Sequence, residues 1–542
     1  MKYFEKHPII TLSIFVALML LPGLDKMQVS IMEARDFITG REMLTDGNWI
    51  FTTMNGEARY EKPPLPTWSS AISAGIFGKG NLFGWRFPQA LMVMLAGVFV
   101  FFISRKLFDD KRQALYNGLL AVTSFYVVGI IIEAPWDIYT HALMLVSIFL
   151  FLKLFETDNA GWKYVAGAGL FMGLSFLSKG PISFYGLFLP LIIAYAIVYG
   201  KRFRRNKILP VLSILLIAMA IGGWWYLYVR LGDPHTFSKI ANKETGNWGE
   251  YNVKPFYYYW NFFAQSGLWT IPAFIGLLYP YMKKRVSNLK AYQLTLFWTL
   301  FSVILLSLVP EKKARYLMPT LIPLALNTGF YIEYLIHEFK NMKDKREIWP
   351  VYIEFGIPAV IGIALPVAIV FIMKQDVTHH LVLYIVSSLV FLAIGINIIR
   401  FIVKKQIDKV FLLTVGLFGS LLLFGLPLLS SDLIGKPLHP ISGLKTESDV
   451  KHIKVYCYDF IAPEMIWQYG DKISMVKKDS LHFNFPKEKQ FGLLVNQLEH
   501  RDSVILYSRY QLQKITTYNL NYKLQTHKGQ RLINDFYMAT KK

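Results

Sequence analysis

Cysteine is almost absent: the single thiol, Cys457, excludes an intramolecular disulfide and leaves the redox compartment open. Charge is scarce as well. Charged residues make up 17% of the 542, where a soluble chain of this size is nearer a quarter. Acid is the scarcer sign, with 36 Asp and Glu against 58 Lys and Arg and a net charge of +22. No G-x-x-x-x-G-K-[ST] loop is present, which argues against nucleotide-driven transport. No nucleic-acid motif accompanies the basic charge, so nucleic acid is not an expected partner. No small-residue cleavage site follows the apolar run after Lys2 and Lys6, so residues 1–24 read as an uncleaved first membrane span rather than a leader.

What fills the chain instead is apolar. Hydrophobic residues reach 54% and mean hydropathy is +0.36. Uncharged runs of about 18–22 residues recur, each long enough to cross a bilayer. The pattern predicts a mostly α polytopic membrane protein with about thirteen spans, near 8–24, 87–104, 114–132, 138–155, 164–178, 182–199, 208–229, 264–281, 292–309, 317–336, 355–373, 382–402 and 410–429. The purely basic loops follow spans two, six, eight, ten and twelve, all on one side, which the positive-inside rule makes cytoplasmic. The opposite side receives 25–86, Glu133–Asp137, Lys179, the 230–262 loop and Glu311–Arg315, the loops rich in mixed charge, Pro and aromatics. Residues 1–430 thus form a membrane domain with a cytoplasmic N-terminus. The tail, 431–542, turns polar and reads as a small soluble α/β domain on the outer face, with strand-like pieces at Lys454–Tyr458 and Ser503–Tyr507 and a helix-like piece at Pro463–Tyr469.

The first outer loop is the most informative. Residues 31–68 mix Glu33, Arg35, Asp36, Arg41, Glu42, Arg59, Glu61 and Lys62 with Trp49, Phe51, Tyr60 and Trp68. That composition suits amphipathic helices lying at headgroup depth. Carboxylates beside membrane spans are costly and tend to face a cavity or a partner, which singles out Glu33 and Asp137 as candidate acid–base groups. For Asp137 the competing reading is a helix N-cap. The outer cations Arg35, Arg59, Lys62, Lys179, Lys243, Lys254, Lys312, Lys313 and Arg315 run against the positive-inside rule. They suit phosphate binding or pairing with nearby Glu. His235, His379 and His380 lie on the same side; adjacent histidines next to Asp376 seldom share one ion without a third ligand.

These residues fall into a known pattern. Met32-Glu33-Ala34-Arg35 with Arg41-Glu42-Met43-Leu44 resembles the D-E-x-R-Y-x-x-x-x-R-E-M-L motif of polyprenyl-phosphate-dependent glycosyltransferases of the GT-C type. The pattern is similar to that of bacterial aminoarabinose–lipid A transferases and, more distantly, of protein O-mannosyltransferases. It continues through Gly47-Asn48-Trp49, Asn55-Gly56, Glu61-Lys62-Pro63-Pro64-Leu65, Trp68, Arg86-Phe87-Pro88, Asp137, Leu177 to Pro181 and Arg315 to Pro319. The resemblance implies a transferase that moves a sugar, with inversion, from a polyprenyl-phosphate carrier to a glycolipid such as lipid A, or to a protein, on the outer face of an inner membrane. It implies Glu33 and Asp137 as catalytic carboxylates, Lys62 on the carrier phosphate and Glu61 at a position linked to a divalent metal; the outer cations Arg35, Arg59, Lys179 and Arg315 are expected to support Lys62 in holding that phosphate. The chain departs from the motif at two places: the opening Asp is Met32 and the Tyr is Asp36. The base then falls to Glu33, Asp137 or Asp36. A lipid transporter or a lipid-binding scaffold is the alternative class. A transporter would show midplane charges and internal repeats, and the sequence has neither.

Overall fold

The computed structural model describes residues 5–124, 129–131, 133–157, 161–200, 207–429, 436–477, 482–497, 500–522 and 529–542. The first helix, α1 (Pro8–Leu20), starts on a proline whose missing N–H costs nothing there. The first loop then folds as two helices and a hairpin. Helix α2 (Ile31–Asp46) opens on a Ser30–Glu33 capping box and closes at Gly47, whose φ of 78° needs no Cβ. Strands β1 (Thr53–Met54) and β2 (Glu57–Ala58) pair antiparallel through Asn55-Gly56. Both turn residues have positive φ, 56° and 78°, as a two-residue hairpin turn requires. Helix α3 (Leu65–Phe77) follows Pro63-Pro64.

The remaining helices are α4 (Leu82–Leu107), α5 (Lys111–Val122), α6 (Pro135–Glu156), α7 (Trp162–Lys179), α8 (Leu189–Tyr199), α9 (Ile208–Gly232), α10 (Pro234–Glu250), α11 (Thr270–Gly276), α12 (Tyr279–Met282), α13 (Leu289–Leu308), α14 (Met318–Glu338), α15 (Lys345–Met373), α16 (Leu381–Val403), α17 (Ile407–Ser420) and α18 (Leu426–Leu429). Among the described residues seven helices are long and apolar enough to cross a membrane, and Pro8–Gly23 and Phe184–Tyr199 are shorter apolar helices. Helix occurs at every expected span, but the count of thirteen is not confirmed. The expected span 264–281 is broken: a 3₁₀ stretch, Phe262–Trp269, turns at Gly267 (φ 67°) before α11 and α12. Part of the expected span 114–132 lies outside the described residues. The 230–262 loop contains α10, an exposed amphipathic helix. Close helix approach positions the site. Gly169 and Gly173, one small face of α7, admit Ile217 and Ile221 of α9, where a Cβ would meet each isoleucine Cβ at 2.7 and 2.6 Å.

After residues 430–435, outside those described and holding the expected domain boundary, α19 (Leu444–Val450) leads into a five-stranded mixed sheet. Its strands are β3 (Val455–Cys457), β4 (Ser474–Met475), β5 (Gln490–Val495), β6 (Tyr510–Asn519) and β7 (Ile533–Lys541), in the order β4-β3-β5-β7-β6. The helix α20 (Pro463–Tyr469) stands at the expected place. Ser503–Tyr507 is not a strand: it lies in α21 (His500–Arg509), because Asp502 and Leu506, four apart, are the buried positions, a helical rather than an alternating period. The sheet unit sits on α2. Trp467 packs between Phe37 and Trp85, with ring centroids at 5.3 and 5.4 Å. Arg41 donates to the Ile466 carbonyl at 3.3 Å, and Asn55 exchanges hydrogen bonds with the Ile473 backbone at 2.8 and 2.7 Å.

Candidate functional site

Four chain segments far apart in sequence converge: Lys62 ahead of α3, Asp137 at the start of α6, Lys179 at the end of α7 and Arg315 in the turn before α14. Asp137 is the third residue of α6, after Pro135 and Trp136; the capping position belongs to Ala134, so Asp137 is not the N-cap. Its carboxylate pairs instead with Lys179, the last residue of α7. Gly180 (φ 81°) turns the chain away there and donates to the Phe176 carbonyl at 2.7 Å, which fixes the Lys179 backbone. The ammonium lies 5.0 Å from the Tyr316 ring centroid. Arg315 stands 3.9 Å from Glu133, and Lys313 bonds Glu311 at 2.6 Å. Lys62 and Arg315 both act electrostatically on Lys179. Lys62 is half-buried and held at 3.5 Å by Glu244 of α10, a helix that is also tied by Tyr60 donating to Asp233 at 3.2 Å.

Asp137 Oδ2 and His141 Nδ1 are two of the buried polar atoms that have no partner among the described residues. His141 lies one helical turn beyond Asp137, on the same face of α6, and is 2% exposed. The sequence signal for it was this i, i+4 spacing, which the motif reading passed over.

Asp36 belongs to a second, adjacent group. Its carboxylate is fully buried and accepts from the hydroxyls of Thr67 and Ser70 of α3. Burial pushes its pKa up to about 6, against the pull of Thr67 and Arg59. Arg59 is buried too, donating to the Arg35 carbonyl at 2.9 Å and to Thr39 at 2.8 Å, with its guanidinium 5.4 Å from the Trp136 ring centroid. Trp136 and Asp137 are neighbours in α6, so this one turn serves both groups. Asp36 also lies one turn beyond Met32 in α2, on the same helix face.

Glu33 is placed differently. One carboxylate oxygen accepts from Arg86 Nε at 2.6 Å; the other accepts from Arg86 Nη2 at 3.0 Å and from the Ser30 backbone N–H at 2.9 Å. The same guanidinium also donates to the carbonyls of Leu24, Met27 and Gln28. Both partners are at most 1% exposed. Glu61 is exposed, and no group of three or more His, Cys, Asp or Glu close enough for a metal occurs among the described residues. His235 lies in α10 and His379-His380 in the 3₁₀ turn between α15 and α16; the Asp376 side chain is outside the described residues.

The segment 61–226, which holds Lys62, Asp137, His141 and Lys179, matches the family model described as dolichyl-phosphate-mannose-protein mannosyltransferase. An undecaprenyl phosphate-alpha-4-amino-4-deoxy-L-arabinose arabinosyl transferase of Edwardsiella ictaluri is 28% identical over 318 residues, 56% of this chain and 56% of that protein. A second, from Proteus mirabilis, is 27% identical over 341 residues, 61% of this chain and 60% of that protein. The chain thus spans somewhat more than half the length of the curated relatives it matches. Among solved structures, ArnT from Cupriavidus metallidurans bound to undecaprenyl phosphate has a TM-score of 0.70 over 97% of both chains at 14% identity, so the two share a fold. Its apo form gives 0.67. The resemblance to polyprenyl-phosphate-dependent glycosyltransferases, drawn from the motifs, is borne out by these likenesses.

Proposed function

We propose that this chain is an integral-membrane glycosyltransferase that takes a sugar of the aminoarabinose class from a polyprenyl phosphate and gives it to a surface glycolipid such as lipid A. The observation that carries the reading is Asp137: buried, paired on one oxygen with Lys179, open on the other. Around it stand Lys62 and Arg315 in long ion pairs of 3.5 and 3.9 Å, loose enough for a phosphate to displace their carboxylates.

In this mechanism the acceptor oxygen attacks the anomeric carbon from the side opposite the carrier, and the bond from that carbon to the phosphate oxygen breaks. The products are the glycosylated acceptor, with inverted configuration, and the polyprenyl phosphate. Lys179, Lys62 and Arg315 stabilise the negative charge that grows on the departing phosphate, a charge larger in the transition state than in the ground state. Asp137 Oδ2 orients the acceptor and takes its proton where the acceptor is a hydroxyl. Asp36, held by Thr67 and Ser70, orders Arg59 and through it Trp136, which precedes Asp137. Glu33 serves structure in this reading, fastening α2 to α4 through Arg86. No step uses a metal.

The active site then faces the outside of an inner membrane, with the N-terminus cytoplasmic, residues 1–430 forming the membrane domain and residues 431–542 the periplasmic one. Support comes from the convergence of Lys62, Asp137, Lys179 and Arg315, all from loops that the basic-loop rule assigns to one side. The test is mass spectrometry of lipids that co-purify with the gently extracted protein, wild type beside Lys62→Ala. A polyprenyl phosphate carried by wild type and lost from the variant supports the carrier site; bulk phospholipid alone in both sinks it.

A further inference from the structure

We propose that the end of the bundle opposite the candidate site holds one anionic phospholipid, clamped between α1 and α4. A pocket of about 470 Å³ opens there. Its rim carries Lys6, Arg105 and Lys111, and its floor is formed by Ile9, Ile10 and Phe102. Three cations over an apolar floor match an amphiphile with a phosphate at one end and acyl chain at the other.

The electrostatics are specific to this corner. Neighbouring Lys106 is already paired with Glu156. Arg105 donates to a backbone carbonyl, that of Asp109, rather than to a carboxylate. Asp110, the next acid, is occupied as the N-cap of α5, accepting from the Arg112 N–H at 2.8 Å. Glu5 and Asp109 are the other carboxylates near the rim, and among the described residues no ion pair joins either of them to Lys6, Arg105 or Lys111. Ile9 and Ile10 are 39% and 54% exposed, an unpartnered apolar face at the start of a helix. Basic loops mark this end of the bundle, which places the pocket in the leaflet where anionic headgroups meet cationic loops.

The position gives the lipid a task. The far end of α1 is held by Arg86, which donates to the Leu24 carbonyl at 2.6 Å. A phosphate bridging Lys6 to Arg105 would tie the start of α1 to the end of α4 at the pocket. The inference depends on the membrane-spanning fold and not on the transfer reaction.

The experiment is native mass spectrometry and thermal unfolding of delipidated full-length protein, titrated with phosphatidylglycerol, phosphatidylcholine or inorganic phosphate. Wild type is expected to retain one phosphatidylglycerol at least tenfold more tightly than phosphatidylcholine, with a raised Tm. The Lys6→Gln/Arg105→Gln/Lys111→Gln variant should lose that preference. Ile10→Trp, which fills the floor and leaves every charge in place, should weaken binding as much; it decides the matter if the triple variant fails to fold. Lys283→Gln/Lys284→Gln, basic residues elsewhere on the same side, should change nothing. Equal retention of both lipids, equal protection by inorganic phosphate, or wild-type binding by Ile10→Trp would overturn the proposal.

Discussion

Glu33–Arg86 and Asp137–Lys179 are both buried pairs of a carboxylate and a cation, and they are built to opposite rules. In the first, both carboxylate oxygens are filled, and the guanidinium spends its other donors on three carbonyls. In the second, one carboxylate oxygen and a nearby imidazole nitrogen have no partner among the described residues, and the surrounding cations are held at 3.5 and 3.9 Å. A saturated pair has nothing left to offer a ligand. An unsaturated one keeps a desolvated group waiting for something to bind, at a cost in stability. The sequence motif contains the glutamate of the first pair and draws the eye to it; hydrogen-bond saturation moves attention to the second.

The sharpest way to break the comparison is Glu33→Gln. Leaving Arg86 buried and uncompensated should cost about 3–5 kcal/mol, read as a large fall in Tm in detergent, while the molecules that remain folded at low temperature transfer sugar at wild-type rates. A variant that keeps its Tm and loses activity would reverse the two roles. Next comes Asp137→Asn, which keeps a hydrogen bond to Lys179. Transfer per folded molecule should fall roughly 10²–10³-fold, and Tm should fall too because Lys179 is left buried beside a neutral partner; undiminished turnover per folded molecule would remove Asp137 from the chemistry.

Asp36 gives a pH test of intermediate size. Its folded pKa, about 6, lies above the ordinary 3.8. The folded state therefore holds this proton more tightly than the unfolded state. The resulting stability is present below pH 3.8 and is lost as pH rises through about 6, by up to about 3 kcal/mol. Asp36→Asn should remove that slope, so that its Tm advantage over wild type is greater at pH 8 than at pH 4. An unchanged slope would place the carboxylate in contact with solvent. The smallest effect belongs to Lys62→Ala, whose partner Glu244 is already distant: carrier affinity should drop about tenfold, about 1.4 kcal/mol, with maximal rate less affected. A loss of rate without a loss of carrier affinity would take Lys62 off the carrier.

Much of this was legible in one dimension. Apolar runs and basic loops located the helices, because burial in lipid demands length and orientation demands charge, and both are written locally. Span 264–281 failed because an apolar average does not register Gly267, whose left-handed φ breaks the helix. Asn55-Gly56 entered only as part of a motif, although that dipeptide is a strong hairpin signal. Ser503–Tyr507 misled because a β-branched apolar run is ambiguous between periods until one knows that Asp502 is buried with Leu506. The Glu33–Arg86 closure joins residues 53 apart, and no local pattern announces it. Lys62, Asp137, Lys179 and Arg315 were named from the sequence and meet in space; Glu61 was named too and is exposed.

The seating of Trp467 between Phe37 and Trp85 carries a consequence for the order of synthesis. Arg41 and its carbonyl acceptor at Ile466 are 425 residues apart. At about 5–20 residues per second, roughly 20–90 s separate the emergence of α2 from that of the helix that covers it. Throughout that interval the aromatic face of α2 and α4 has no lid. Any chain released early would display it, an exposed apolar surface of the kind that quality-control proteases and chaperones recognise. Only a chain synthesised past Pro463–Tyr469 can close over the helix that carries Glu33 and Asp36.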